Sequence, residues 1–274
     1  SAHRIEAVLK TDTSIEAVKD GIKLDDISTI RFDHVTFAYP DGEEPVLKDI
    51  SFEVHKGEKI AFIGSTGSGK STLINLLPRF YDVSQGQILI DGIDLRDLSL
   101  TSWRSMIGMI AQKANLFTGT IADNIRFGKE DASEAEIIHA AKVAQAYDFI
   151  SEKPNGFDEY LSEGATNLSG GQKQRLSIAR ALVRKPKVYV FDDSFSALDF
   201  KNDAKLRRAL ATETKEAITM IVAQRIATIM DADQIIVLHE GKQVGCGTHR
   251  ELLASCSIYY EIAASQLSEE ELKL

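Results

Sequence analysis

The sequence predicts an α/β fold, with a mostly parallel β-sheet at its core, an N-terminal antiparallel β subdomain and a helical insert. Four short runs are apolar on both faces, which is typical of strands buried inside a parallel sheet. Helical patterns separate these runs, and residues 30–54 instead alternate between apolar and polar, as half-buried antiparallel strands do. The four apolar runs span residues 60–63, 188–191, 218–223 and 235–238.

Composition limits the function classes. The chain has 274 residues, which is enough for one large domain or two modest ones. Its 43% hydrophobic and 27% charged residues exclude collagen-like, coiled-coil and disordered classes. A net charge of −9 argues against a broad nucleic-acid surface. The two cysteines predict a reducing compartment, and neither a leader pattern nor a membrane-spanning run of ~20 apolar residues is visible.

The order of patterns along the chain predicts its organisation. Residues 1–28 are polar and mixed, and they are predicted to be the end of a helix followed by a linker. The domain itself is predicted over residues 29–262, with the mostly helical insert at about 112–180 and a solvated tail over 263–274. Helices are expected over residues 71–77, 134–150, 172–183 and 203–212.

A phosphate-binding loop directly follows the first buried run. Residues 64–71 read GSTGSGKS and match the P-loop pattern at every fixed position. The glycines allow successive backbone N–H groups to surround phosphate oxygens, and the start of the next helix adds a partial positive charge. We expect Lys70 to reach the β- and γ-phosphates and the hydroxyl of Ser71 to bind magnesium.

An acidic residue ends the second buried run. Residues 188–192 read VYVFD, so Asp192 is expected at the carboxyl edge of the sheet, beside the P-loop. A carboxylate there can hold the magnesium ion that accompanies a nucleotide. The sequence therefore predicts a site for a nucleotide and Mg²⁺.

A second motif distinguishes between the classes of P-loop protein. Residues 168–172 read LSGGQ, and they resemble the signature motif of ATP-binding-cassette proteins. Ser169 and the two glycines after it are expected to form another anion-binding helix start. Two such helix starts far apart in one chain suggest a nucleotide held between two subunits. The resemblance implies that each P-loop faces the signature of the partner domain.

The resemblance extends over about residues 30–253 and implies further roles. Tyr39 corresponds to the aromatic residue that stacks on adenine, although alone it fits a packed strand residue as well. Gln112 corresponds to the glutamine that reaches magnesium and water. The SALD sequence at 196–199 corresponds to a loop that contacts the opposite subunit; its aspartate fits a helix cap equally well. Residues 116–125 and 162–164 are typical of exporters.

Two positions depart from the family pattern. Asp193 stands where the family usually has the glutamate that polarises the attacking water. Gln224 stands where the family usually has the switch histidine, and glutamine cannot carry the charge of an imidazolium. Both changes affect hydrolysis and leave the binding groups in place, so the sequence predicts a degenerate nucleotide site.

The resemblance implies an ATP-binding and ATP-hydrolysing domain that powers substrate export by a membrane ABC transporter, as the degenerate-site half of a heterodimer. Its expected partners are its own transmembrane domain, which residues 1–28 would join, and a second nucleotide-binding domain on a different chain. The expected location is the cytoplasmic face of the cell membrane, with weak activity in isolation. The alternative is a soluble cassette ATPase not linked to transport, whereas a P-loop kinase would not need residues 168–172.

The predicted site residues fall into three groups. The catalytic group is Asp193, Gln224 and Gln112, and the metal ligands are Ser71, Gln112 and Asp192. The nucleotide-binding group is Tyr39, Gly64, Ser65, Thr66, Gly67, Ser68, Gly69, Lys70, Ser71, Thr72, Ser169, Gly170, Gly171 and Gln172.

Overall fold

The computed structural model describes residues 15–40 and 42–273, and this part of the chain forms a mixed α/β domain. Its strands are β1 (Thr29–Phe37), β2 (Leu47–His55), β3 (Lys59–Gly64), β4 (Gln85–Ile90), β5 (Ile93–Asp94), β6 (Ile107–Ile110), β7 (Gly119–Thr120), β8 (Tyr160–Leu161), β9 (Val188–Asp192), β10 (Ile218–Val222), β11 (Gln234–His239) and β12 (Lys242–Gly247). Ten of them form one sheet, in the order β5-β4-β1-β2-β12-β11-β3-β10-β9-β6, and β7 pairs with β8.

Eight of the described helices lie between these strands, and two follow β12. They are α1 (Lys70–Leu76), α2 (Leu100–Ser105), α3 (Ile121–Arg126), α4 (Glu134–Val143), α5 (Tyr147–Ser151), α6 (Gly170–Leu182), α7 (Phe200–Glu213), α8 (Ile226–Ile229), α9 (His249–Ser255) and α10 (Ser257–Ala264). None of the described helices is long and apolar enough to span a bilayer.

The parallel core predicted from the four apolar runs is confirmed. β3 pairs in parallel with β10 and β11, and β10 pairs in parallel with β9. The strands are apolar on both faces because the sheet separates two hydrophobic clusters. Ile60 and Phe62 of β3 belong to one cluster, and Ala61 and Ile63 belong to the other.

The antiparallel strands near the N-terminus are also confirmed, with β1 pairing with both β2 and β4. The central sheet has one more parallel strand than the sequence predicted, because β6 pairs with β9. β6 has only four residues, and Gly108 within it weakens the strand pattern. A Cβ at Gly108 would approach Pro186 Cγ at 2.6 Å, so this glycine permits close packing.

The single helix predicted over residues 134–150 is wrong, because α4 and α5 are separate helices. Between them, Gln145 adopts a left-handed backbone with φ of 56°. The N–H of Ala146 then donates to the carbonyl of Ala141 at 2.7 Å, which is the helix-ending arrangement usually built on glycine. A glutamine at that position gave no sign of the break.

Residues 15–28 are docked on the domain. Ile22 exchanges backbone hydrogen bonds with Asp97 and Ser99, at 2.9 and 2.8 Å. Asp26 forms ion pairs with Lys56 and Lys187, which hold its pKa well below the ordinary range. Residues 1–14, the first half of the predicted helix end and linker, lie outside the described residues.

The segment predicted as a solvated tail begins within α10. Ala263 is buried in the last turn of that helix, and Leu267 packs against the core. Ser268 then caps the following turn, since its backbone N–H and its hydroxyl both donate to Glu271 at 2.9 and 2.8 Å. This packing gives residues 263–272 defined contacts with the domain.

Candidate functional site

The P-loop connects the end of β3 to the start of α1. At Gly64, which has a φ of 153°, a Cβ atom would collide with the carbonyl oxygen of Leu238 in β11. At Gly67, which has a φ of 82°, a Cβ would meet nothing within 4 Å. Gly69 caps α1 in a left-handed conformation. The first of these glycines is therefore required by packing, and the other two by backbone conformation.

Lys70 folds back over the loop that precedes it. Its Nζ donates to the carbonyls of Gly64 and Ser65, at 2.8 and 2.7 Å, and to Ser68 Oγ at 3.3 Å. Burial lowers the pKa of this lysine, and the charges of Asp192 and Asp193 oppose that effect. Its direct partners are dipoles, so a bound phosphate would supply the negative charge that Lys70 lacks at hydrogen-bond distance.

Ser71 and Asp192 lie side by side at the carboxyl end of the sheet. Ser71 Oγ donates to Asp192 Oδ1 at 3.1 Å. Burial raises the pKa of Asp192, which a bound cation would reverse. A hydroxyl and a carboxylate are oxygen ligands of the type that Mg²⁺ prefers, with phosphate and water oxygens completing its shell. The described residues contain no cluster of three or more His, Cys, Asp or Glu side chains suited to a metal.

Asp193 is held by two glutamines. Its Oδ2 accepts a hydrogen bond from Gln112 Nε2 at 3.1 Å and another from Gln224 Nε2 at 2.8 Å. The residue is 8% exposed and has a φ of 46°. Burial raises the pKa of Asp193, and the hydrogen bonds from the side-chain amides of Gln112 and Gln224 oppose that rise. Asp193, Gln112 and Gln224 thus form one polar cluster. Asp193 and Gln224 are the two members that depart from the family pattern.

These groups surround one cleft of about 350 Å³. It brings together the P-loop, the acidic end of β9 and both glutamines. Val46 and Val222 also line it, and the sequence patterns did not identify them as site residues, since neither belongs to a polar motif. The residues that line the cleft are Val46, Thr66, Gly67, Gly69, Lys70, Ser71, Thr72, Gln112, Asp192, Asp193, Val222 and Gln224.

Tyr39 lies beside the P-loop helix. Its hydroxyl forms a hydrogen bond of 3.0 Å with Thr72 Oγ1. Its ring meets Phe37 and Tyr81 edge to face, at centroid distances of 4.9 and 5.2 Å. The tyrosine is therefore both a packed strand-end residue and a fixed aromatic ring next to the phosphate-binding loop.

The signature residues begin α6 away from this cleft. Ser169 Oγ accepts from the N–H of Gln172, and the Gln172 side chain accepts from the Ser169 N–H, at 3.3 and 2.9 Å. A Cβ at Gly170 would meet nothing within 4 Å, while one at Gly171 would lie 3.2 Å from the Ala197 carbonyl. Residues 169–172 are not among the described residues that line the P-loop cleft. They lie instead beside the loop at 196–199.

The exporter-type segment is organised by a buried asparagine. Asn124 Nδ2 donates to the carbonyls of Phe117 and Thr120, at 2.8 and 3.0 Å. Arg180 donates to Asn124 Oδ1 at 2.9 Å and lies over the rings of Phe117 and Phe127. Arg180 belongs to no motif, and its hydrogen-bond partners Asn115 and Asn124 are 65 and 56 residues away, so only the fold reveals this role.

The fold and the site define a nucleotide-binding domain of the ATP-binding-cassette class, with a P-loop after β3, an acidic end to β9 and a Ser-capped α6. The chain belongs to the ABC transporter family, whose model matches residues 47–196, and it is an ATP-binding domain of that family. The predicted family and fold class are therefore confirmed.

Its relatives are longer proteins. A Staphylococcus aureus (strain NCTC 8325) protein, which is described by name as a multidrug export ATP-binding/permease protein, is 47% identical over 237 residues, covering 86% of this chain and 41% of the relative. The corresponding protein of the bovine strain RF122 is 47% identical over 233 residues, covering 85% and 40%. A solved structure of a bacterial Atm1-family ABC exporter with ATP bound superposes with a TM-score of 0.93 at 37% identity, covering 98% of this chain and 47% of that one. The chain thus spans less than half the length of these relatives.

Proposed function

We propose that this chain is the energy-coupling domain of a membrane exporter, and that its own P-loop site holds Mg-ATP but hydrolyses it slowly. One observation carries the proposal: Asp193 occupies the position of the water-polarising residue, and its carboxylate oxygen accepts from both Gln112 and Gln224. The binding groups around this cluster match the family pattern, whereas the hydrolytic groups do not.

The residues for binding fit the nucleotide and its metal. Lys70 would exchange its carbonyl partners for β- and γ-phosphate oxygens, and Ser71 and Asp192 would hold Mg²⁺ between them. Gln112, which also lines the cleft, would reach the same ion. When bound, Mg²⁺ neutralises charge on the phosphate oxygens. The ring of Tyr39, fixed by Thr72, would stack on the base.

Hydrolysis requires a base at the correct distance from a water molecule. The side chain of Asp193 is one methylene shorter than glutamate, and an error of ~1 Å at a reacting group costs ~100-fold in rate. Its Oδ2 is also occupied by two amide donors. Gln224 can donate a hydrogen bond toward a γ-phosphate, but it brings no positive charge. Both differences reduce turnover and leave binding intact.

The signature residues would serve another chain. Ser169 caps a helix whose start is open at Gly170 and lies outside this chain's cleft. In a head-to-tail pair, this signature completes the partner's P-loop site. A homodimer would then have two impaired sites, so a heterodimer with a hydrolytically competent partner fits the residues better. The names of the Staphylococcus aureus relatives combine ATP-binding with a permease, and the solved relative is an ABC exporter, which supports export and a membrane location.

Slow turnover is the direct test. The full-length protein, purified without a second chain type, is expected to hydrolyse ATP below ~1 per second, at or under the slow end of ordinary enzyme rates. Steady-state phosphate release at saturating Mg-ATP measures this rate, with Lys70→Ala as the blank. We expect Asp193→Glu alone to restore little, because Gln224 is unchanged. A wild-type rate of ~100 per second would contradict the degenerate-site proposal.

A further inference from the structure

The backbone of the loop that carries Gln224 depends on a hydrogen-bond acceptor from outside the loop. β10 ends at Val222 and α8 begins at Ile226, with Arg225 as the N-cap residue of that helix. The side chain of Arg225 forms no capping hydrogen bond. The first N–H groups of a helix have no acceptor within the helix, so the N–H of Ile226 must find one elsewhere.

Gln266, from the chain segment after α10, supplies that acceptor. The N–H of Ile226 donates to Gln266 Oε1 at 2.9 Å, and Gln266 Nε2 donates to the carbonyl of Gln224 at 2.8 Å. One side-chain amide therefore binds the backbone on both sides of Arg225. It acts on this loop as a neighbouring strand would, by pairing one donor and one acceptor.

Two side chains of the loop that carries Gln224 contact the nucleotide cleft and the loop at 196–199. Gln224 Nε2 donates to Asp193 Oδ2 at 2.8 Å, inside the nucleotide cleft. Arg225 Nη2 donates to the carbonyl of Ser196 at 3.4 Å, in the loop beside the signature residues. A shift of this backbone would move both contacts together, because the two residues are adjacent.

Gln266 itself is firmly placed by its neighbours. Its backbone N–H donates to the Ala263 carbonyl at 3.0 Å, and Leu267 packs against the core. Gln266 is nonetheless an exposed residue, so its side chain adds little buried surface. Its defined contribution is the pair of hydrogen bonds to the Gln224 loop.

We propose that Gln266 is a positioning residue for the nucleotide site, which sets the orientation of Gln224 toward Asp193 and toward a bound γ-phosphate. The proposal rests on the proposed function, since it requires that the cleft hold ATP. Without the two hydrogen bonds from Gln266, the loop that carries Gln224 would no longer be held, and the Gln224 side chain would leave the site. ATP bound at this P-loop would then dissociate faster, while the fold would remain.

The test measures the dissociation of N-methylanthraniloyl-ATP from the full-length protein in lipid nanodiscs, chased with excess ATP in the presence of Mg²⁺. The phase that Lys70→Ala removes belongs to this site. We expect Gln266→Ala to accelerate that phase about 5-fold, as the loss of two hydrogen bonds implies. Gln266→Glu keeps the length and the acceptor but loses the donor to Gln224, so it is expected to accelerate the phase as well. Ser265→Ala, which removes only a bond to the Ile262 carbonyl, is the control and should change nothing.

A double-mutant cycle separates positioning from general stability. If Gln266 acts through Gln224, then Gln266→Ala added to Gln224→Ala should accelerate dissociation less than 2-fold further. An unchanged rate in both Gln266 variants would overturn the proposal, as would an effect that persists in full without the Gln224 side chain. A wild-type protein with no Lys70-dependent phase would overturn both this proposal and the proposed function. A normal wild-type phase with unaffected variants would overturn this proposal alone.

Discussion

Replacing Lys70 with alanine is expected to weaken the binding of Mg-ATP to this chain about 100-fold, which corresponds to roughly 3 kcal/mol for a charged hydrogen-bonding group. The ammonium group lies at the base of the P-loop, where its partners are the carbonyls of Gly64 and Ser65 and a serine hydroxyl. A triphosphate would be bound there mainly through this charge and the backbone N–H groups of the loop.

Equilibrium titration with a fluorescent ATP analogue at micromolar protein measures the affinity. Lys242→Ala is the matched control, since Lys242 is an exposed lysine of β12 that does not line the cleft. We expect its affinity to equal that of the wild type. Equal affinity in Lys70→Ala would show that the nucleotide does not bind at this loop.

Gly64→Ala is expected to cost about 3 kcal/mol of unfolding free energy, at the upper end for an overpacked site. The new methyl group would meet the backbone of β11 at Leu238, and its next neighbour would be Ser68 Oγ at 2.8 Å. β3 and β11 pair at this point, so neither strand can move away without breaking the sheet. The substitution thus damages the parallel core and the phosphate loop together.

Urea unfolding followed by fluorescence measures this loss, because Trp103 is the only tryptophan of the chain and is buried. Gly67→Ala is the matched control. Gly67 also has a positive φ, but a Cβ there would meet no atom within 4 Å, so the expected cost is only the ~1 kcal/mol of backbone strain. If the two variants were equally stable, packing against Leu238 would not be the reason for a glycine at position 64.

The elements predicted correctly from the sequence are those with a strong local pattern. β3, β9, β10 and β11 are short runs that are apolar on both faces, and the P-loop is a fixed pattern of eight residues. The sequence did not predict β6, where Gly108 interrupts an apolar run, or the break between α4 and α5, where Gln145 takes a conformation that glycine usually provides. At β6 the glycine permits close packing against Pro186, and after α4 a left-handed backbone ends the helix although the residue is not glycine.

The nucleotide site likewise contains residues that belong to local motifs and residues that only the fold brings together. Lys70, Ser71 and Asp192 belong to motifs, so their roles could be predicted without a structure. The contact of Asp193 with Gln112 and Gln224 joins residues separated by 81 and 31 positions, and only the fold shows that both amides meet one carboxylate oxygen. Gln266 belongs to no motif, and its hydrogen bonds to Ile226 and Gln224 span 40 and 42 positions.

The proposed asymmetry of the pair places the impaired site in this chain. It is tested most directly by ATP hydrolysis in the native full-length complex, with Asp193→Asn in this chain compared with the acid-to-amide change at the matching position of the other chain. A general base contributes ~10²–10⁴-fold to rate, so the change in the other chain should nearly abolish hydrolysis. Asp193→Asn should slow it far less, because Asp193 is already a poor base held by two amides. Equal loss from both changes, or a native complex that contains this chain alone, would contradict the proposed asymmetric pair.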